Sequence, residues 1–582
     1  MNRILLTFIL FFTTLTSHAS ELETLFEEEW QYRLQTNPMM ARGMGEPVEK
    51  LTLPDMTLES LAAHARFYEA MLEKLNAIDT KSLTTEAMVN YQIFRDQVSN
   101  QIAEFNFGMY QIPFNSDSGF YSALARAQNN FNFETIEEYQ QYLQLLESWP
   151  DYVKQQMTHM QMGLDRGFTQ PQAILSTLPE RVYSYITDDI GESVFYRPFK
   201  RFPDAISAAD KQRLEQQAKS VITNSVNAGY QSLGDFFKEV YIPNAKTSIG
   251  ASDLPQGRAF YENRIRHYTT LDMTADEIHQ IGLNEVARIR SEMESIIKKT
   301  EFDGTFAEFL QFLRTDPRFY AKTEEQLLEK ASRIAKRADA ALPAFFKHLP
   351  RTPYGVEPVP KELAPNYTTG RYVRASRNGK RPGYYWVNTY ALDKRPLYEL
   401  EALSLHEAVP GHHLQIALNQ ELDNLPNFRQ FSYLSAFGEG WGLYSEWLGI
   451  EMGFYQDPYS DFGRLTYEMW RAVRLVVDTG MHAMGWSREK ALAYLADNTA
   501  LSLHNVRTEI DRYISWPGQA LSYKIGELTI KRLRADAEKQ LGNAFDIRDF
   551  HDVVLRHGAV PLNVLEQNVA NYISDTLNQS DK

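Results

Sequence analysis

A helix that carries histidines and then runs into a Pro-Gly pair has few ways to continue. This chain places that break inside His406-Glu407-Ala408-Val409-Pro410-Gly411-His412-His413, directly after the run from Leu397 to Leu405. On a regular helix, two imidazoles that face one ion stand four residues apart. Position 410 is Pro, and the next histidines are His412 and His413. A separation of six residues is about 600° of rotation, which turns the ring away, and seven is roughly 10 Å along the axis, too far for one ion. Pro lacks an amide donor and Gly tolerates unusual dihedrals, so the pair can bulge the helix by two residues. His412 then takes the place of a four-apart histidine, with His413 as the alternative.

That pattern suits metal chemistry. Hydrolytic zinc sites use neutral imidazoles, one further ligand and a carboxylate beside the attacking water. His406 and His412 are the expected ligands of a single Zn2+, with His413 supporting them. Glu407 is positioned by sequence to act as general base and then general acid. The third ligand is expected on a following helix. Phe437-Gly438-Glu439-Gly440-Trp441-Gly442-Leu443-Tyr444-Ser445-Glu446 offers two acids seven apart, hence on one face. Glycines around Glu439 allow a backbone or a metal site to approach closely. Glu439 is the expected ligand, and Glu446 its supporting partner or reserve.

Composition excludes several other chemistries. The 582 residues contain no cysteine, which removes disulfides, thiolate zinc sites, iron–sulfur clusters, a cysteine nucleophile and lipid attachment at a cysteine. A net charge of −15 without a basic run argues against nucleic acid as partner. Arg3, an apolar run from Ile4 to Leu15, and Ser17-His18-Ala19 read as a cleavable leader over 1–19, too short to span a bilayer. These features predict a secreted, periplasmic protein without integral membrane association after cleavage; oligomeric state is left open.

Most of the chain reads as helix. Thr274 with Glu277 three residues on forms a capping box, followed by Ile278, Ile281, Val286 and Ile289 at helical spacing. Leu22 to Phe107, Thr135 to Gly163 and Thr323 to Phe346 look similar. Asn244 to Arg258 and the Pro/Gly-dense stretch from Leu349 to Gly383 read as loops. The aromatic and β-branched segment from Tyr384 to Tyr390 is the strand candidate. It is either an ordinary core strand or an edge that pairs with an extended substrate. A helical N-terminal lobe over 20–349 and a metal-binding lobe over 350–582 are expected, with a soft boundary.

Further polar residues stand downstream. Arg474, Asp478 and His482 recur at four-residue steps on an otherwise apolar helix. They form either an ion-pair ladder or a couple in which Asp478 orients His482 toward an oxyanion. Arg512 and Lys524 are candidates to hold a substrate carboxylate, with surface charge as the alternative.

His-Glu-x-x-Pro-Gly-His-His-Leu-Gln, Gly-Glu-Gly-Trp and the late Pro-Gly-Gln-Ala-x-x-Tyr-Lys-x-Gly together resemble the bacterial family catalogued as domain of unknown function 885. The similarity runs over nearly the whole mature chain, and such proteins are similar to helical zinc metallopeptidases of the glutamate-ligand type. The resemblance implies a mainly α fold like that of a large helical metallopeptidase, with a small β-sheet beside the active-site helix and a deep cleft. A helical N-terminal lobe overhanging that cleft would restrict entry to short, unfolded peptides, which favours a carboxypeptidase or oligopeptidase. In related enzymes a tyrosine reaches over the metal; Tyr523 is the better candidate and Tyr513 the other, Tyr513 and Arg474 also being candidates for substrate binding. Two other expectations compete: a metal-dependent amidase or esterase acting on small or cell-wall-derived substrates, and a non-catalytic periplasmic metal-binding protein.

Overall fold

The structure, a computed structural model, describes residues 21–580 apart from 362, 377–380 and 424. The expected leader over 1–19 lies outside the described residues. The chain divides into two compact units: residues up to Phe260 with Pro426–Phe428, and Tyr261–Leu425 with Arg429 onward.

The first unit is helical, including Leu58–Asn76, Thr85–Phe107, Ile136–Glu147 and Trp149–Arg166. Threonine caps open several of these helices: Thr57, Thr84 and Thr135 each accept the amide three residues on. Their inner faces enclose an aromatic core that includes Tyr139, Tyr142, Trp149 and Tyr230, all at 0% exposure.

The second unit holds every residue singled out from the sequence for chemistry. Helix α1 (Ala275–Lys299) starts at the expected Thr274–Glu277 capping box. It lies along α5 (Pro458–Ala483): an added Cβ at Gly282 would sit 2.8 Å from Leu475 Cβ. Polar contacts join the same pair, His279 Nδ1 meeting the Thr479 hydroxyl at 2.8 Å and Arg288 pairing with Glu468. This packing draws the segment from Tyr261 into the second unit, so the division falls before α1 rather than near Pro350.

Between Leu349 and Gly383, read from sequence as loop, the structure has two strands, β1 (Tyr354–Pro358) and β2 (Gly370–Val373). The strand expected at Tyr384 is β3 (Gly383–Val387). The order is β1-β3-β2, with β1 parallel and β2 antiparallel to β3. Pro and Gly mask β1 and β2 in the sequence, because both are short and exist by pairing with β3. The central position of β3 rules out its expected alternative as a substrate-pairing edge.

After the sheet come α2 (Leu400–Glu407), α3 (His412–Gln420), α4 (Ser435–Leu448), then α5, α6 (Leu503–Ser515) and α7 (Ser522–Leu541). Helices α4 and α7 cross where two glycines meet: an added Cβ at Gly440 would lie 2.5 Å from Gly526 Cα. Among the described residues no helix is long and apolar enough to cross a membrane.

A Cβ at Gly526 would stand 2.1 Å from the Ala436 carbonyl oxygen. Gly526→Ala is therefore expected to lower unfolding free energy by about 1–3 kcal/mol, the usual range for overpacking, as read from urea denaturation.

Candidate metal centre

The site begins with the way α2 ends. The Ala408 amide makes the last ordinary turn bond, to Ser404 O at 2.9 Å. The Gly411 amide then reaches Leu405 O at 3.0 Å, and the His413 amide reaches Ala408 O at 3.0 Å. The first of these spans six residues where a helix spans four, so two residues have been inserted. The helix is interrupted into α2 and α3 rather than bulged as one piece, but the register shift is the expected one. Only glycine fits at the break: a Cβ at Gly411 would sit 1.9 Å from the His406 carbonyl oxygen. Trp441 Nε1 donates to Pro410 O at 2.8 Å and ties the break to α4.

The result is convergence. The His406 and His412 rings lie 4.6 Å apart at 88°. Glu439 on α4 brings Oε2 to 3.6 Å from His406 Nε2 and 3.5 Å from His412 Nε2. The three donor atoms all lie within 4.8 Å of one another. Ligands about 2.0–2.2 Å from a tetrahedral zinc stand roughly 3.4 Å apart, so this set fits such an ion. His406 Nδ1 lies 2.7 Å from Glu446 Oε1, which leaves Nε2 to face the other donors. Gly442 makes room for that ring, since a Cβ there would lie 2.6 Å from it.

The charges of His406 and Glu439 are coupled. Burial lowers His406, yet hydrogen bonds with Glu439 and Glu446 raise it to about 10. Glu439 is raised by burial but held well below the ordinary carboxylate range by the two imidazoles. Each group favours the charged form of the other.

Glu407, next to the first histidine, is 9% exposed, and its Oε2 accepts the Tyr372 amide of β2 at 2.8 Å. The strand edge at the site is thus that of β2. Arg371, one residue earlier, forms no ion pair among the described residues. Burial lowers its pKa, but Tyr367 and the nearby carboxylates of Glu407 and Glu439 raise it further.

The remaining candidates separate. His413 turns its Nδ1 to the Tyr372 hydroxyl at 3.0 Å and stands outside the triad, and Glu446 supports His406 instead of joining it. Tyr523 is 9% exposed, with the Arg474 guanidinium 4.3 Å from its ring centre and a hydrogen bond to Arg512. Arg512 also donates to Gln519 Oε1 at 2.7 Å and lies 3.6 Å from Glu509.

Four expectations need correction. Lys524 is wholly buried among Glu527 at 2.6 Å, Glu468 at 2.8 Å and Glu285 at 3.0 Å, so it is closed to a substrate. The Tyr513 hydroxyl is enclosed by Glu509 at 2.6 Å, Arg474 at 2.7 Å and Trp470 at 2.9 Å. Arg474, 2% exposed, is bound into the same cluster and pairs with Glu509 at 3.0 Å. His482 meets the Tyr513 carbonyl oxygen at 3.0 Å through Nε2, and Asp478 holds Tyr261 at 2.6 Å and the Gly518 amide at 3.2 Å. Burial pushes Asp478 up to about 7. The polar stripe on α5 therefore serves packing, because buried polar groups take whichever partners are nearest.

Sequence reasoning missed the Tyr372 amide, Arg371 and Tyr433, whose hydroxyl donates to Glu439 Oε1 at 2.8 Å. Gly-Arg-Tyr-Val did carry an aromatic and β-branched signal inside its Pro/Gly surroundings. Tyr433 precedes α4 and carried none.

The family described as "Bacterial protein of unknown function (DUF885)" matches residues 38–569. The crystal structure of a "putative lipoprotein" from Colwellia psychrerythraea is similar at a TM-score of 0.90 and 28% identity, covering 96% of this chain and 100% of that one. A "putative lipoprotein of unknown function" from Shewanella oneidensis has the same fold at a TM-score of 0.70 and 18% identity, covering 94% of this chain and 99% of that one. The word lipoprotein belongs to those two proteins; the present sequence has no cysteine. No curated protein matches the sequence.

Glu446→Ala leaves His406 Nδ1 without its acceptor and is expected to weaken zinc affinity by about 10- to 100-fold. His413→Gln is expected to leave that affinity close to wild type. Chelator competition on the purified protein reads both.

Proposed function

We propose that this chain, which belongs to the bacterial DUF885 family, is a zinc-dependent peptide hydrolase, a carboxypeptidase or oligopeptidase of short peptides. In this reading the fold is that of a helical metallopeptidase with a substrate cleft, and the protein works in the periplasm after loss of its leader. One observation carries the proposal: His406, His412 and Glu439 converge at zinc-ligand spacing, and the charge of Glu407, the next residue in the chain, acts on the His406 ring. A protein that only bound metal would have no need of Glu407.

His406, His412 and Glu439 would hold the ion, which when bound supplies Lewis acidity to water and to a scissile carbonyl. The chain's own groups account for the rest. Glu407 is held through Oε2 by the Tyr372 amide, so its carboxylate cannot swing away. It takes a proton from the attacking water and returns it to the leaving amine. The Glu446 carboxylate keeps the His406 tautomer and ring direction fixed. Arg512 donates to the Tyr523 hydroxyl oxygen, leaving the phenolic hydrogen to donate to the developing oxyanion. With Lys524 excluded, Arg512 is the group for a substrate carboxylate. Its side chain is 20% exposed, and Glu509 is shared between it and Arg474. A guanidinium offers a two-pronged contact that an ammonium does not.

Two variants test the reading. Glu407→Gln is expected to keep zinc, measured by metal analysis, while lowering kcat on a peptide library by about 100-fold or more; unchanged turnover removes the mechanism. Arg512→Lys is expected to raise KM for peptides with a free C-terminus more than for C-terminally amidated ones. Equal effects on both remove the carboxylate assignment.

A further inference from the structure

We infer that Tyr433 is a positioning residue for the metal-binding carboxylate, holding one oxygen of Glu439 so that the other alone faces the two imidazoles. The inference rests on the zinc reading above and adds a residue to it.

The two oxygens of Glu439 have different partners. Oε2 lies 3.6 Å from His406 Nε2 and 3.5 Å from His412 Nε2. Oε1 accepts the Tyr433 hydroxyl at 2.8 Å. A carboxylate with both oxygens free can give a cation either one or both. A phenol on Oε1 restricts Glu439 to one.

Tyr433 sits in an unusual way for a tyrosine. An aromatic residue retained for packing buries its ring and turns its hydroxyl to water. Here the residue is 47% exposed, while its hydroxyl donates to Glu439. Exposing that much aromatic surface is unfavourable, so the inward hydrogen bond, and not burial, accounts for the placement. The Arg374 guanidinium, 5.8 Å from the ring centre, is a weak outer contact. On the inner side, Gly438 leaves the space that the phenol needs: a Cβ there would lie 2.8 Å from the Tyr433 hydroxyl oxygen. The glycine before Glu439 is therefore matched to the tyrosine that holds Glu439.

The test uses full-length protein and zinc alone, with affinity read by chelator competition. Tyr433→Phe keeps the ring and its contact with Arg374 and removes only the hydroxyl. It is expected to bind zinc about 10- to 100-fold more weakly, with the melting temperature of the metal-free protein unchanged. Gly438→Ala, which displaces the phenol while keeping it in the sequence, is expected to shift affinity the same way. In cobalt(II)-loaded protein, the visible absorption is expected to differ between wild type and Tyr433→Phe, a change that a role in folding alone would not produce. Wild-type zinc affinity in Tyr433→Phe, together with an unaltered cobalt spectrum, overturns the inference and leaves the zinc reading standing. Failure of the wild-type protein itself to bind zinc overturns both.

Discussion

Gly411 passes so close to the His406 carbonyl oxygen that no side chain can stand there, and the site is built around that contact. The two extra residues at the break shift the register from four to six, so His412 returns to the face that His406 presents. The Gly411 amide bonded to Leu405 keeps the detour hydrogen-bonded in a buried setting, where an unpaired amide is unfavourable. Trp441 fastens Pro410 to α4, the helix that carries Glu439 and Glu446. The indole hydrogen bond thus ties the distortion between α2 and α3 to the helix that carries Glu439.

Close approach recurs through the second unit. Gly442 admits the His406 ring, Gly440 and Gly526 let α4 and α7 touch, and α7 carries Tyr523. Each glycine removes a side chain where another group must stand. The convergence of His406, His412 and Glu439 depends on placement within about half an ångström. Here that placement comes from helices packed backbone to backbone and not from flexible loops.

Buried charge divides into two kinds. Around the triad, Glu439 and Glu446 lie against the imidazoles of His406 and His412. Around Lys524 and Arg474, acids and bases pair with one another, as Lys524 does with Glu285, Glu468 and Glu527. Both kinds are rows of charged residues on apolar helices when seen in sequence. Only the presence or absence of a neutralising partner from a distant segment separates chemistry from architecture.

That difference marks the line between what was legible in the chain and what was not. The helices with capping boxes, the two-residue insertion at Pro410-Gly411, the two histidines, Glu407 and the glycine-flanked Glu439 could be read directly, because each rests on short-range rules of helical rotation, capping and backbone freedom. The choice of Glu446 as support for His406, the removal of Lys524, Tyr513, Arg474 and His482 from the site, and the entry of Tyr372, Arg371 and Tyr433 could not. β1 and β2 were hidden for the same reason, since each is a strand only by pairing with β3. Local sequence determines which conformations and which chemical groups a segment offers. Which group meets which depends on contacts between residues far apart in the chain, and those are set when the second unit packs.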